Sequence, residues 1–303
     1  MDAVLVIAFG GPTAPDEIRP FLDNVARGRR IPRERLEVVA THYEHMPGGR
    51  SPLNDLTFAQ AHGLEQALAA AGRPLPVHVG MRNWHPYLRE ALAKMAADGV
   101  RQALGVILSA LRTQASWDRY KEDVAEARAE VPGAPEILFA PPWSTHPRYL
   151  DAVTARAREA LSAVPESERS WTPLVFTAHS VPVAMAEASP YVAELFAASH
   201  AVADRLGHHR FSIAYQSRSG NPRERWLEPD VNDVLRSLAN DGERHVVVVP
   251  IGFVADHVEL LYDLDVEARR TAEAGRLTFH RASAVNDHPE FIAALADVVT
   301  AAS

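Results

Sequence analysis

His179 is the residue best placed to do chemistry in this chain. It follows directly on the apolar run Leu174-Val175-Phe176 and opens the segment His179-Ser180-Val181-Pro182. A neutral imidazole offers one lone pair, so at any instant it accepts a proton or binds a divalent metal, not both. Taken alone, the same residue also reads as a histidine that merely caps a strand. A second segment, Pro250 to Asp263, leaves another strongly apolar run and carries Glu259, Asp263 and then Glu267 at four-residue spacing. On a helix these form one acidic row, whose mutual repulsion calls for a cation nearby unless the row is simply a solvated face. His179 and Glu259 facing each other across a cleft, from opposite lobes, make a two-ligand nitrogen and oxygen site for ferrous iron, cobalt or zinc. Such a site keeps open positions and modest affinity, as suits a protein that hands its metal on.

Other segments supply binding groups. Phe9-Gly10-Gly11-Pro12 lets a ligand approach the backbone closely, but it lacks the third glycine of a dinucleotide phosphate loop. Arg27-Gly28-Arg29-Arg30 offers guanidinium forks suited to carboxylates, or else a plain basic loop. Tyr43 and the stretch Gly48 to Leu53, which includes Ser51, mark a turn between two helices. Trp84 and Trp226 stand beside proline turns, either as walls for an aromatic ligand or as core anchors.

These residues need a scaffold, and 303 residues suffice for two α/β domains. Apolar runs near 3–8, 76–81, 103–109, 136–140, 172–178, 211–215, 245–250 and 277–280 alternate with amphipathic stretches, the rhythm of parallel strands covered by helices. One of those stretches predicts a single helix over 256–274. Four strands in each half predict two Rossmann-like doubly wound domains, 1–143 and 144–303, with the last helix free to pack back on the first domain. Ligands of such sheets bind beyond the strands' carboxyl ends. Zero cysteines exclude disulfides, thiolate metal sites and a cysteine-ligated iron–sulfur cluster. A net charge of −8 argues against nucleic acid and anionic membranes as partners. With no long apolar window and no basic leader, a cytoplasmic protein without an integral membrane segment is expected.

Taken together, the segments Phe9 to Pro12, Gly48 to Leu53, Thr177 to Pro182, Tyr215 to Gly220, Trp226 to Pro229 and Gly252 to Asp265 resemble ferrochelatase, in the family's order and approximate spacing. The resemblance implies a chelatase-like pair of Rossmann-like domains with a porphyrin cleft between them, and a lyase that inserts ferrous iron into a porphyrin in haem biosynthesis. It assigns His179 and Glu259 to metal binding and proton handling. It implies a π-type widening in the helix near Asp256 that brings Asp256, His257 and Glu259 together, with Asp263 and Glu267 as an acidic trail for a second metal. By the same matching Tyr43, Ser51 and Tyr120 contact porphyrin, and Arg27 and Arg29 lie near its propionates. Ferrous iron is then a substrate and no tightly bound cofactor is implied.

Three departures stand out. Phe9 replaces a tyrosine of some relatives and has no oxygen for iron. The cysteine-bound cluster of other members has no ligands here. Ala188-Ser189-Pro190-Tyr191 replaces a Gly-Asp-Pro-Tyr pattern. The stretches Ile18 to Leu22 and Arg27 to Pro32 resemble the actinobacterial branch, which implies a soluble monomer acting on coproporphyrin III. The alternatives are protoporphyrin IX as substrate, a cobalt chelatase on a more polar tetrapyrrole, and a porphyrin or haem carrier without catalysis.

Overall fold

The computed structural model describes residues 1–28, 33–219 and 223–302. In chain order the first part runs β1 (Ala3–Ala8), α1 (Ile18–Ala26), α2 (Arg33–Glu44), α3 (Leu53–Ala70), β2 (Val77–Met81), α4 (Leu88–Ala97), β3 (Gln102–Ile107), α5 (Arg119–Glu130) and β4 (Glu136–Phe139). There follow α6 (Pro147–Ser162), α7 (Glu166–Arg169), β5 (Leu174–His179), α8 (Val183–Glu187), α9 (Tyr191–Leu206), β6 (Phe211–Gln216), α10 (Val231–Asn240) and β7 (His245–Val249). The chain ends with α11 (Val258–Leu261), α12 (Arg269–Ala274), β8 (Thr278–Arg281) and α13 (Pro289–Ala302).

Two compact units result: residues 1–109, 114–143 and 286–303, and residues 110–113 and 144–285. A single cut after residue 143 misses residues 110–113, while the last helix packs on the first unit as the sequence left open. The apolar face of α13 belongs to the first unit, where Ile292 lies so close to Gly63 of α3 that a Cβ there would meet it at 3.2 Å. Residues 110–113 belong to the second, where Glu194 of α9 accepts from the backbone N–H of Arg112 at 2.9 Å and from its Nε at 2.5 Å.

Each unit is built on a four-stranded parallel sheet, ordered β2-β1-β3-β4 in the first and β6-β5-β7-β8 in the second. The central strands are apolar on both faces because helices cover both: every residue of β1 is buried, and so is Val246 to Val249 of β7. In both sheets the chain first adds a strand on one side and then crosses to the other. The reversal point lies between β1 and β3 in the first sheet and between β5 and β7 in the second. Loops leaving those strands diverge there and open a crevice at their carboxyl ends.

The expected helix over 256–274 is interrupted. Regular α-helix covers only Val258–Leu261, a π-helical segment takes Asp263–Ala268, and α-helix resumes at Arg269. A second π-helical turn, Gln114–Asp118, precedes α5. Such widenings are rare and concentrate at functional sites. Their pattern of apolar residues still reads as helical, so residue periodicity alone does not locate them.

Candidate functional site

The second unit's reversal point carries His179 and Glu259. His179 ends β5, opposite Gln216 at the end of β6. Its backbone carbonyl accepts from the buried hydroxyl of Tyr191 at 2.8 Å. Burial, with Tyr215 and Glu259 adding to it, pushes that phenol far above its ordinary pKa, so it stays a donor. The ring nitrogen Nδ1 of His179 pairs with the Ser180 carbonyl. A carbonyl only accepts, so Nδ1 carries the hydrogen, and the neutral ring keeps its lone pair on Nε2. That atom lies 3.6 Å from Glu259 Oε1, with the two side chains 29% and 38% exposed, so a ligand can reach both.

Both groups therefore come from one unit, which corrects the expectation of a pair drawn from opposite lobes. The topology explains it. β5 and β7 are neighbours in one sheet, and the loops leaving their carboxyl ends start side by side. The turn after β7 packs tightly on β5: Gly252 N–H donates to the Thr177 carbonyl at 3.0 Å, and a Cβ on Gly252 would sit 2.6 Å from that of Ala178. His257 then caps α11, its Nδ1 accepting from Glu259 N–H at 3.1 Å. Burial pushes the His257 imidazole below the usual histidine range, against the pull of Glu259 and Asp256. The buried Gln216 side chain donates to the Glu259 carbonyl at 2.7 Å.

The implied grouping of Asp256, His257 and Glu259 is only partly met. Arg281, at the end of β8, draws the Asp256 carboxylate to itself at 2.7 Å and also takes both oxygens of Asp265 at 2.7 and 2.8 Å. Arg281 thus serves Asp256 and Asp265, the latter also 3.8 Å from Arg269, and neither carboxylate belongs to the acidic row. Within the row, Glu259 has His179, Asp263 accepts from the Ser217 hydroxyl, and Glu267 is exposed. Among the described residues no group of three or more His, Asp or Glu side chains is arranged to hold a metal ion. The His179–Glu259 pair is a two-donor arrangement with open positions.

The first unit gathers the other candidates around the end of β1. Gly10 takes a left-handed φ of 82° beside Trp84, and Gly11 leaves room for Ser51, which a Cβ would meet at 3.0 Å. Ser51 N–H donates to the Pro12 carbonyl at 3.0 Å, and Asn54 accepts from Gly11 N–H at 2.8 Å. Tyr43 packs edge-on against Phe21, whose ring also meets Phe9 and Trp84 edge-on with centroids 6.2–6.3 Å away. Tyr120 lies under the Arg82 guanidinium, which is held by Asp123 at 2.8 Å. Tyr43, Ser51 and Tyr120 are all buried, whereas Phe9 is 39% exposed. Phe9 is therefore the exposed aromatic of this group, and Phe21 lies between it and the buried Tyr43. The signal that marks Phe9 is a large apolar side chain placed directly after a buried strand, in front of two glycines. Trp84 is a core anchor whose Nε1 donates to Glu17 at 2.9 Å. Arg27 is exposed and donates to Asn24 at 2.6 Å, and Arg29 lies outside the described residues.

Two four-stranded parallel sheets of this doubly wound kind are the fold of chelatases of known structure. The sirohydrochlorin chelatase SirB from Bacillus subtilis subspecies spizizenii, solved in complex with cobalt, superposes with a TM-score of 0.57 over 99% of this chain and 94% of its own, at 13% identity. CbiX, described as the terminal enzyme of sirohaem biosynthesis in denitrifying bacteria, gives 0.56 over 99% of each chain at 14% identity. At sequence level the match is far closer: the ferrochelatase family model covers residues 1–303, and the chain belongs to the ferrochelatase family. It is 43% identical to the coproporphyrin III ferrochelatase of Mycolicibacterium smegmatis over 98% of this chain and 88% of that protein. It is 44% identical to that of Frankia alni over 99% of this chain and 79% of that one. Like other members it is a lyase-type enzyme of haem biosynthesis with ferrous iron as a substrate. Among the described residues no helix is long and apolar enough to cross a membrane.

Proposed function

We propose that this protein inserts ferrous iron into coproporphyrin III, with His179 and Glu259 handling metal and protons. The observation that carries the assignment is the pair itself: an imidazole whose free Nε2 lies 3.6 Å from a carboxylate, in a chain of this family. Insertion exchanges one Fe²⁺ for two pyrrole N–H protons, so the site needs a metal donor and a proton acceptor in one place. Nε2 serves either need in turn. When it has taken a proton, Glu259 stabilises the imidazolium. When it has not, bonds of about 2.1 Å from Nε2 and Oε1 to one ion would meet at about 120°, given their 3.6 Å separation. That arrangement leaves the ion's other positions for pyrrole nitrogens.

A flat macrocycle resists metal entry, because its two in-plane lone pairs and its two N–H hydrogens all point inward in the ring plane. Bending the ring exposes them, and the energy comes from contacts remote from the reacting atoms. We assign that work to Phe9, Tyr43, Ser51 and Tyr120, and the carboxylates of the macrocycle to Arg27 and Arg29. Asp263 and Glu267 are assigned to a path for the incoming metal. The branch that this sequence resembles further supports a monomer working in the cytoplasm.

Steady-state iron insertion with coproporphyrin III and with protoporphyrin IX tests the substrate. The tetracarboxylate should give the higher kcat/KM, and equal or reversed preference overturns this assignment.

A further inference from the structure

Gln216 is hydrogen-bonded to the backbone beside both members of the His179–Glu259 pair. Glu259 sits in α11, a helix of four residues followed by a π-helical segment. One helical turn is far below the length that is stable by itself, so tertiary bonds must fix where this turn lies. Gln216 supplies one from each end of the residue. Its backbone carbonyl accepts from Ser180 N–H at 2.7 Å, immediately after His179, and its Nε2 donates to the backbone carbonyl of Glu259 at 2.7 Å. Register places Gln216 directly opposite His179 in the ladder. One residue therefore bonds to the peptide units carrying both members of the pair.

Nothing about stability alone requires an amide there. Gln216 is 1% exposed, and its Oε1 has no protein donor among the described residues. An unmade bond to a buried acceptor costs about 1–3 kcal/mol, which offsets what the Nε2 bond contributes, so stability gives little reason to prefer the amide over an apolar side chain of equal length. The orientation of the amide is set by its neighbour: the opposite flip would aim Oε1 at the Glu259 carbonyl, oxygen against oxygen. What the amide adds over methionine is the N–H on Glu259.

We infer that Gln216 is a positioning residue for the metal-insertion reaction, setting the separation of Glu259 from His179 through the Glu259 backbone. The inference rests on the assignment of that pair to metal handling.

The test uses the whole protein and two readouts. Cobalt(II) alone, titrated by its visible absorption, reports metal binding to the pair without any porphyrin, and iron insertion reports turnover. Gln216→Met should weaken cobalt binding at least tenfold and lower kcat by about 10²-fold, the cost of an ångström-scale misplacement, with porphyrin KM within threefold of the parent. In a Glu259→Ala background the same substitution should change cobalt affinity less than twofold, since its effect passes through Glu259. A merely structural role would weaken both backgrounds alike, and that result overturns the inference, as does unchanged cobalt affinity in the single variant. Should Gln216→Met not fold, Gln216→Asn, one methylene short of the same carbonyl, is judged by the same cycle. Failure of the parent protein to convert coproporphyrin III would overturn the substrate assignment and leave the cobalt cycle to decide the role of Gln216.

Discussion

At the scale of single residues, the site's chemistry is set by what each ring nitrogen touches. Because Nδ1 of His179 is committed to the Ser180 carbonyl, only Nε2 faces Glu259, and the imidazole has one working atom. His179→Ala removes that atom, but none of the first-unit residues assigned to the macrocycle. Iron insertion should fall at least about 100-fold, the usual share of a positioned acid–base group, while coproporphyrin affinity measured by fluorescence quenching stays within threefold. Near-normal turnover would remove His179 from the mechanism. Glu259→Gln keeps shape and most hydrogen-bonding capacity but loses the charge that stabilises an imidazolium. Its kcat should drop about tenfold or more, with the porphyrin KM unchanged. A large rise in porphyrin KM instead would show that Glu259 binds the macrocycle.

At the scale of elements, the approach of the post-β7 turn to β5 decides whether the pair meets. Gly252 allows it, because any Cβ at that position would overlap both Cα and Cβ of Ala178 at 2.8 and 2.6 Å. The clash involves backbone on one side and a side chain without freedom on the other, so the loop itself must retreat. Gly252→Ala should cost about 1–3 kcal/mol of stability, read as a lowered urea midpoint, and should reduce iron insertion further than the loss of folded protein explains. Wild-type turnover per folded molecule would mean that Glu259 does not depend on this contact. Much of this architecture was legible in the sequence. The eight apolar runs are the eight strands, and His179 and Glu259 stand after two of them. The boundary expected at 143 already put both residues in one half, at odds with a pair from opposite lobes; what the sequence hid is which strands of that half are neighbours, because parallel order follows from long-range pairing and not from any local pattern. The resemblance implied a widening in the helix near Asp256, but the residues themselves do not locate it at Asp263–Ala268. Leu260, Leu264, Ala268 and Ala272 are all buried and keep the spacing of an ordinary helix, although the backbone between them widens.

At the scale of the whole molecule, several histidines away from the site are held neutral, which ties stability to pH. Burial lowers His42 to about 4, with Arg35 and His45 adding to it. Burial likewise lowers His78, His208 and His280, the last with help from His245. His208 is buried, and its Nε2 bonds to the Thr172 carbonyl at 2.7 Å, a contact that opposes the shift without cancelling it. In the unfolded chain all four titrate near 6.5. Below that value the unfolded state therefore binds more protons than the folded state, and stability must fall as pH falls. The window opens near 6.5 and, for His42, closes near 4. It lies mostly above the range where Glu17, Glu90 and Asp98, all held below their ordinary values, begin to lose their own contributions. Asp123 works the other way, since burial raises its carboxyl despite Arg82 and Arg119. The urea midpoint should thus be level from pH 8.5 to 7.5 and decline steadily between 6.5 and 5, and His42→Asn should flatten part of that decline. A midpoint unchanged down to pH 5 would mean that these rings take up protons as readily in the folded protein as in the unfolded chain.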